Sequence, residues 1–308
     1  MKVLLVKSKA RGVDSPFVLE QMESCEKLGV TFDILNITRG GALGYLLAYL
    51  KLLGKSITGN HDLIHAHYGL TGLLSVLQPF KPVVITFHGC DVNDTKTRWI
   101  SKVAYRLCSQ AIVVEESMIQ KLQAKKGITN IPCGVDTEVF HPIPKNQSRK
   151  MLGFDEHSRI ALFGSSFSTP VKNAALAQET LSQVGNVKLI ELKNKTREEV
   201  NLLLNACDFL LLTSKREGSP MIIKEALSAE CPIVSTDVGD VKMRIKGVKN
   251  TVVCAHDPKA LSTAILELLK TNERSDGRQR IFDQGLDLDS IAIRIYTIYE
   301  KCAGLRER

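Results

Sequence analysis

No run in this sequence approaches the roughly 20 consecutive apolar residues that a membrane-spanning helix needs, so an integral membrane protein is not expected. The first residues do not have a secretory leader's pattern: Lys2 precedes a strand-length apolar segment, and Lys7, Lys9 and Arg11 follow it. The eight cysteines include no C-x-x-C pair, and several sit inside apolar strand or helix patterns. Reduced thiols in a cytoplasmic protein are therefore expected. Tryptophan occurs once, and there is no dense basic run, zinc-ligand spacing or interleaving of aromatics with Lys and Arg. These absences argue against a nucleic acid partner. G-x-S-x-G, the Walker lysine loop and G-x-G-x-x-G are all missing, so hydrolase, P-loop NTPase and dehydrogenase readings have no anchor.

What is present describes a soluble globular chain. Its 308 residues, 44% hydrophobic and 24% charged, exceed what one core usually supports, and two domains of roughly 150 residues each are expected. A net charge of +8 fits an anionic substrate or an anionic membrane surface. Strand-length apolar segments recur at 3–6, 30–35, 63–66, 83–87, 111–114 and 128–131, then at 160–163, 187–190, 207–213, 232–235 and 251–254. Helical patterns fill the gaps. That alternation predicts an α/β protein with two doubly wound parallel sheets, whose ligands bind beyond the carboxyl ends of strands. Periodicity breaks at 135–148, where Pro142 and Pro144 stand among polar residues. An N-terminal domain over 1–142, a second over 150–288 and a last helix over 289–308 follow; the helix's apolar face would pack back on the first domain.

The most informative segment is 215–227, Lys-Arg-Glu-Gly-Ser-Pro-Met-Ile-Ile-Lys-Glu-Ala-Leu. It follows a buried-strand pattern, reads as a turn at Gly218 and Ser219, and has Pro220 where a first helical residue is favoured. A helix N-terminus so placed offers free N–H groups and a positive dipole end to a phosphate, while Glu217 and Glu225 suit sugar hydroxyls as acceptors. An ordinary surface helix with a Glu at either end is the other reading.

Glu217 and Glu225 match the Glu-x7-Glu motif of the group 1 glycosyltransferases (glycosyltransferase family 4), retaining enzymes of the GT-B fold, and the chain resembles that family along most of its length. Asp62-Leu63-Ile64-His65-Ala66-His67 and Thr86-Phe87-His88-Gly89-Cys90-Asp91 resemble the family's acceptor-domain strand ends. Ile131-Pro132-Cys133-Gly134-Val135-Asp136, with Phe140 and Pro142, is similar to its hinge, and Pro170-Val171-Lys172-Asn173 to its phosphate-binding lysine loop. The resemblance implies two Rossmann-like domains facing a central cleft, the acceptor side N-terminal and the nucleotide sugar on the C-terminal domain. It implies that Glu225 holds the ribose, that Glu217 and His88 lie near the transferred sugar, and that Lys172 neutralises the leaving diphosphate. The backbone of Gly218, Ser219, Pro220, Met221 and Ile222 would meet sugar and diphosphate. His67, Asp91 and Arg11 become candidates for acceptor or neighbouring contacts. Read from residues alone, His88 is somewhat better as a helix cap or a satisfied core histidine, and Asp91 caps the following helix or touches acceptor. His65 with His67 serve strand-end packing or acceptor binding sooner than a metal pair, since no Cys or carboxylate with ligand spacing joins them.

Three departures from the family pattern stand out. Ser166 occupies the donor-side position where an Arg is usual, Cys133 replaces a common Asn, and the loop 8–16 has one Gly, with Lys9 and Arg11 as possible substitutes for amides. Asp287-Leu288-Asp289 superficially resembles a metal-binding Asp-x-Asp, but its place before the last helix suits Asp289 as an N-cap, and neither a metal nor another cofactor is expected. Leu43, Leu46, Leu47, Leu50 and Leu53 share a helical stripe, read first as core and second as a peripheral contact with the inner membrane face. The expectation is thus a metal-independent cytoplasmic glycosyltransferase that moves a sugar from a nucleotide diphosphate sugar to a glycan, lipid-linked or small-molecule hydroxyl acceptor, in polysaccharide or cell-surface glycan synthesis. A nucleotide-sugar epimerase of the same fold, or a nucleotide-sugar-binding protein without catalysis, is the alternative.

Overall fold

The computed structural model describes residues 1–8 and 16–304 and divides the chain into two units. Unit 1 comprises Met1–Gly134 and Leu288–Arg308, and unit 2 comprises Val135–Asp287.

In unit 1 the elements are β1 (Lys2–Ser8), α1 (Pro16–Glu26), β2 (Thr31–Ile37), α2 (Gly41–Thr58), β3 (Leu63–His67), α3 (Gly69–Val76), β4 (Val83–Phe87), α4 (Cys90–Asn93), α5 (Arg98–Leu107), β5 (Gln110–Val113), α6 (Ser117–Leu122) and β6 (Ile128–Asn130). The strands form one parallel sheet in the order β2-β1-β3-β4-β5-β6. Unit 2 has α7 (Lys145–Leu152), β7 (Arg159–Phe163), a 3₁₀ turn (Pro170–Lys172), α8 (Ala174–Val184), β8 (Val187–Glu191), α9 (Arg197–Ala206), β9 (Phe209–Leu212), α10 (Met221–Ser228), β10 (Ile233–Thr236), α11 (Val241–Arg244), β11 (Thr251–Cys254), α12 (Pro258–Thr271) and α13 (Gly277–Asp283). Its parallel sheet runs β11-β10-β9-β7-β8. The chain then returns to unit 1 as α14 (Leu288–Cys302).

Alternation along the strands builds the layers. Ile160, Leu162, Leu210, Leu212 and Ile233 pack on one face of the unit 2 sheet with residues of α9, α10 and α13, while Ala161, Phe163, Phe209, Leu211 and Val234 pack on the other with α8 and α12. In unit 1, Val3, Leu63, Val84 and Ile112 meet Ile291, Ala292, Ile295, Ile298 and Tyr299 of α14. Both strand orders are of the 2-1-3-4-5 type, so each sheet has a crevice at a topological switch point: between β1 and β3 in unit 1, and between β7 and β9 in unit 2.

All eleven expected strands form, with ends shifted by a few residues. Four local readings are corrected. Segment 135–148 is not merely a polar interruption, because Val135 and Phe140 are fully buried in the unit 2 core. Pro220 takes the cap position with φ −67° and ψ 122°, and α10 begins at Met221. Asp289 lies inside the first turn of α14, where it bonds Ser24 Oγ at 3.2 Å and Lys27 Nζ at 3.6 Å instead of capping the helix. The leucine stripe of α2 is not core: Leu43, Leu46, Leu47 and Leu50 are exposed, and the helix rests instead on Gly44, Ala48, Leu52 and Ser56. Three of those four are small, and they let the backbone approach its support closely.

Candidate functional site

At the switch point of unit 2, the loops leaving β7 and β9 carry most of the predicted donor residues. The turn Pro170–Lys172 is tied to the end of β9: Lys215 N donates to Val171 O at 2.9 Å, and Thr213 Oγ1 donates to the carbonyls of Lys172 and Asn173 at 3.1 and 3.0 Å. Lys172 and Glu217 are thereby brought together, Nζ to Oε1 at 2.7 Å, with Ser214 Oγ on the same carboxylate oxygen at 2.7 Å. A cation and an anion so paired can hold a diphosphate on one side and a sugar hydroxyl on the other.

Gly218 and Ser219 form the turn into α10. The loop after β10 presses against this turn: Gly239 has φ +55°, and a Cβ there would stand 2.0 Å from Gly218 O, an oxygen that also accepts from Asp240 N at 3.1 Å. Only glycine fits that approach. Ser219 Oγ is buried without a hydrogen-bond partner among the described residues, and no side chain caps α10. A buried hydroxyl beside an uncapped helix N-terminus suits an anionic ligand. The backbone of Met221 and Ile222 opens that helix, and Glu225 lies one turn further, 4% exposed.

Glu225 has a partner that the sequence did not disclose. Arg197 Nη1 of α9 lies 2.5 Å from Glu225 Oε1, and the guanidinium stacks on the Phe140 ring at 4.5 Å. Twenty-eight residues separate the two charges, so no local spacing signals the pair. Ser166 does not carry a cation's role: its Oγ lies 3.1 Å from Glu191 Oε2, which also accepts from Phe167 N at 2.7 Å. Lys215 and Arg216, the basic residues just before Glu217, are exposed.

Unit 1 gathers its predicted residues at the ends of β3 and β4. His67 Nδ1 and His88 Nε2 are 2.8 Å apart with nearly parallel rings, and His88 Nδ1 is 3.9 Å from Cys133 Sγ. Phe17 and Tyr68 flank the His88 ring, with centroids at 5.1 and 4.6 Å. His65, one strand repeat before His67, is a satisfied core histidine held by Tyr299 Oη at 2.7 Å and Thr86 Oγ1 at 2.8 Å. Burial pushes His65 and His88 down to about 3 and His67 well below its ordinary value, so all three are neutral. A neutral histidine pair holds a single proton in its shared bond. His67 Nε2 is buried without a partner among the described residues.

Asp91 is a backbone clamp. Its Oδ1 accepts from His88 N and Gly89 N at 3.1 and 3.0 Å, and its Oδ2 from Gly69 N at 2.9 Å, joining the end of β4 to the start of α3. Burial raises its carboxyl to about 6 against the pull of those amides. Arg11 lies outside the described residues. Among the described residues no group of three or more His, Cys, Asp or Glu is placed to hold a metal ion.

Comparison with known proteins agrees with this architecture. Two family models match, Glycosyltransferase Family 4 over residues 10–139 and Glycosyl transferases group 1 over residues 155–271. An uncharacterized glycosyltransferase of Methanocaldococcus jannaschii is 25% identical over 280 residues, 79% of this chain and 76% of its own. The putative teichuronic acid biosynthesis glycosyltransferase TuaC of Bacillus subtilis is 28% identical over 239 residues, 66% of this chain; the chain spans 60% of that relative's length. Among solved structures, the sucrose-phosphate synthase of Thermosynechococcus elongatus superposes with a TM-score of 0.86 at 15% identity, covering 98% of both chains. HepE of Anabaena, solved with UDP, gives 0.78 at 15% identity over 98% of this chain and 100% of its own. With two parallel-sheet α/β units and both family models matched, the chain belongs to the group 1 glycosyltransferases of family 4 and has the GT-B fold.

Proposed function

We propose that the protein transfers a sugar, with retention, from a nucleotide diphosphate sugar to a hydroxyl acceptor in polysaccharide or cell-surface glycan synthesis. The observation that carries this reading is the convergence, at the unit 2 switch point, of the Lys172–Glu217 pair, the unpartnered Ser219 hydroxyl and the uncapped start of α10. Glu225, oriented by Arg197, accepts from the ribose hydroxyls. Lys172 and the α10 amides take the charge that builds on the leaving diphosphate, which makes a metal dispensable. Arrival of the diphosphate draws Lys172 from Glu217 and frees that carboxylate for the sugar.

In unit 1, His88 supplies the neutral imidazole near the transferred sugar. Among the described residues its Nδ1 has the long sulfur contact alone, which makes it the nitrogen to offer a hydroxyl. His67 and Asp91 hold His88 and its backbone in place, and Arg11 belongs with the acceptor side. The names of the relatives support the pathway class, since TuaC is named for teichuronic acid biosynthesis, and HepE was solved with UDP. None of the eight cysteines is joined in a disulfide, which suits a reducing compartment such as the cytoplasm.

Calorimetric titration with UDP, GDP and ADP, with and without a chelator, tests the donor site. One nucleotide is expected to bind without metal, and Glu225→Ala to weaken it at least tenfold, the effect of a lost charged hydrogen bond. Binding of none of the three would overturn the reading, and the anomer of the product, read by NMR, decides retention. A second reading, nucleotide-sugar binding without turnover, is favoured by the Ser166–Glu191 contact: a neutral side chain bound to a carboxylate stands at the sequence position where an Arg is usual in the family. Nucleotide binding with neither transfer nor donor hydrolysis would select it.

A further inference from the structure

Unit 1 carries a surface that donor chemistry does not use. On α2, Leu43, Leu46, Leu47, Leu50 and Ile57 are between 41% and 69% exposed, and at the helical period they form one outward stripe. Tyr49 of the same helix donates to Leu77 O at 3.2 Å, which sets the exposed Leu77 beside the stripe, with exposed Phe80 following in the same loop. A contiguous exposed apolar patch of this kind marks an interaction site.

Charge decides what fits it. Residues 34–90 contain a single carboxylate, Asp62, whose Oδ2 accepts from Lys2 N at 2.7 Å. The same stretch contains Arg39, Lys51, Lys55 and Lys81. Lys55 is ion-paired with Asp33 at 2.6 Å, whereas Arg39 and Lys51 line a cavity of about 350 Å³ with Asn36 and Leu47, at the end of β2 against α2. Both charged groups lining that cavity are cations.

We infer that α2 is a docking surface for an anionic bilayer, with the leucine stripe entering the interfacial layer and the cavity of Arg39 and Lys51 receiving a lipid phosphate. A second copy of this chain fits less well, because a symmetric contact would press these cations against their own equivalents. No described helix is long and apolar enough to cross a membrane, so the contact is peripheral. The inference goes beyond the proposed sugar transfer and stands independently of it.

The test is cosedimentation of the full chain with phosphatidylcholine vesicles and with vesicles of phosphatidylcholine and phosphatidylglycerol in equal parts. Binding is expected to the anionic vesicles alone. Arg39→Ala and Lys51→Ala should each lower the partition about fivefold, the effect of one cation near a charged surface. The double variant Leu46→Glu, Leu50→Glu should abolish binding while its circular dichroism and nucleotide titration match the parent's. Failure to bind anionic vesicles, equal binding to both kinds, or binding indifferent to all these substitutions would each overturn the inference. A solution dimer dispersed by the double variant, with no vesicle binding, would assign the stripe to a second copy instead.

Discussion

Lys172 illustrates how much one side chain's partner decides. Its position after a strand and loop was readable, but its pairing with Glu217 across 45 residues was not, because nothing local links the two. If the amine neutralises a leaving diphosphate, Lys172→Ala should lower kcat by roughly 10²–10³-fold, the usual size for a lost electrostatic donor, with a smaller change in KM. Steady-state kinetics on the donor identified by titration would check this, and an unchanged kcat would refute the role. The histidines make a second prediction at this scale. Their folded pKa values are depressed, so the unfolded chain takes up protons first, and the stability they confer above about pH 6.5 falls away as pH drops toward 3. At pH 5 the loss is roughly 2 kcal/mol for each. Asp91, raised to about 6, acts with the opposite sign and returns roughly 1 kcal/mol between pH 7 and 5. Urea denaturation at pH 7 and pH 5 should therefore show a net loss of several kcal/mol, and equal stability would contradict the burial of neutral imidazoles.

Among the elements, α10 shows why spacing and geometry are different kinds of information. The eight-residue interval of Glu217 and Glu225 was legible, and so was a turn at Gly218. The loop after β10 that braces the turn lies a strand away, and Gly239 gave no signal in isolation. Gly239→Ala places a left-handed residue under strain and a methyl against Gly218 O, so we expect destabilisation of more than about 1 kcal/mol together with weaker nucleotide binding. Thermal unfolding and titration of the same variant would test both parts, and a parent-like Tm would show that the loop yields. For α2 the same distinction applies in reverse. Its leucine period was clear, but a period says that residues share a face and not which way that face looks; the small residues Gly44 and Ala48 took the inner side.

At the scale of the molecule, the last helix belongs with the first unit. Ile291, Ala292, Ile295, Ile298 and Tyr299 complete the core over Val3, Leu63, Val84 and Ile112, and Tyr299 bonds His65. Truncation after Asp287 would expose that face of the sheet, and we expect loss of the cooperative transition of unit 1 while unit 2 keeps its own. Differential scanning calorimetry of the truncated chain would decide, and two unaltered transitions would mean that α14 is dispensable.

Strand runs, helix faces, turn residues and the ordered motifs depend on neighbours within a dozen positions, and for that reason the sequence alone determined the α/β class, the family resemblance and the places of Glu217, Glu225, Lys172 and His88. The tertiary structure alone decided which charges pair, which histidine nitrogens are spoken for, which face of α2 meets solvent and which of α14's apolar residues meet the unit 1 sheet. Each of those is set by burial and by contacts between residues tens to hundreds of positions apart, where the cost of an unpartnered charge or an exposed core face is resolved only when the whole chain has packed.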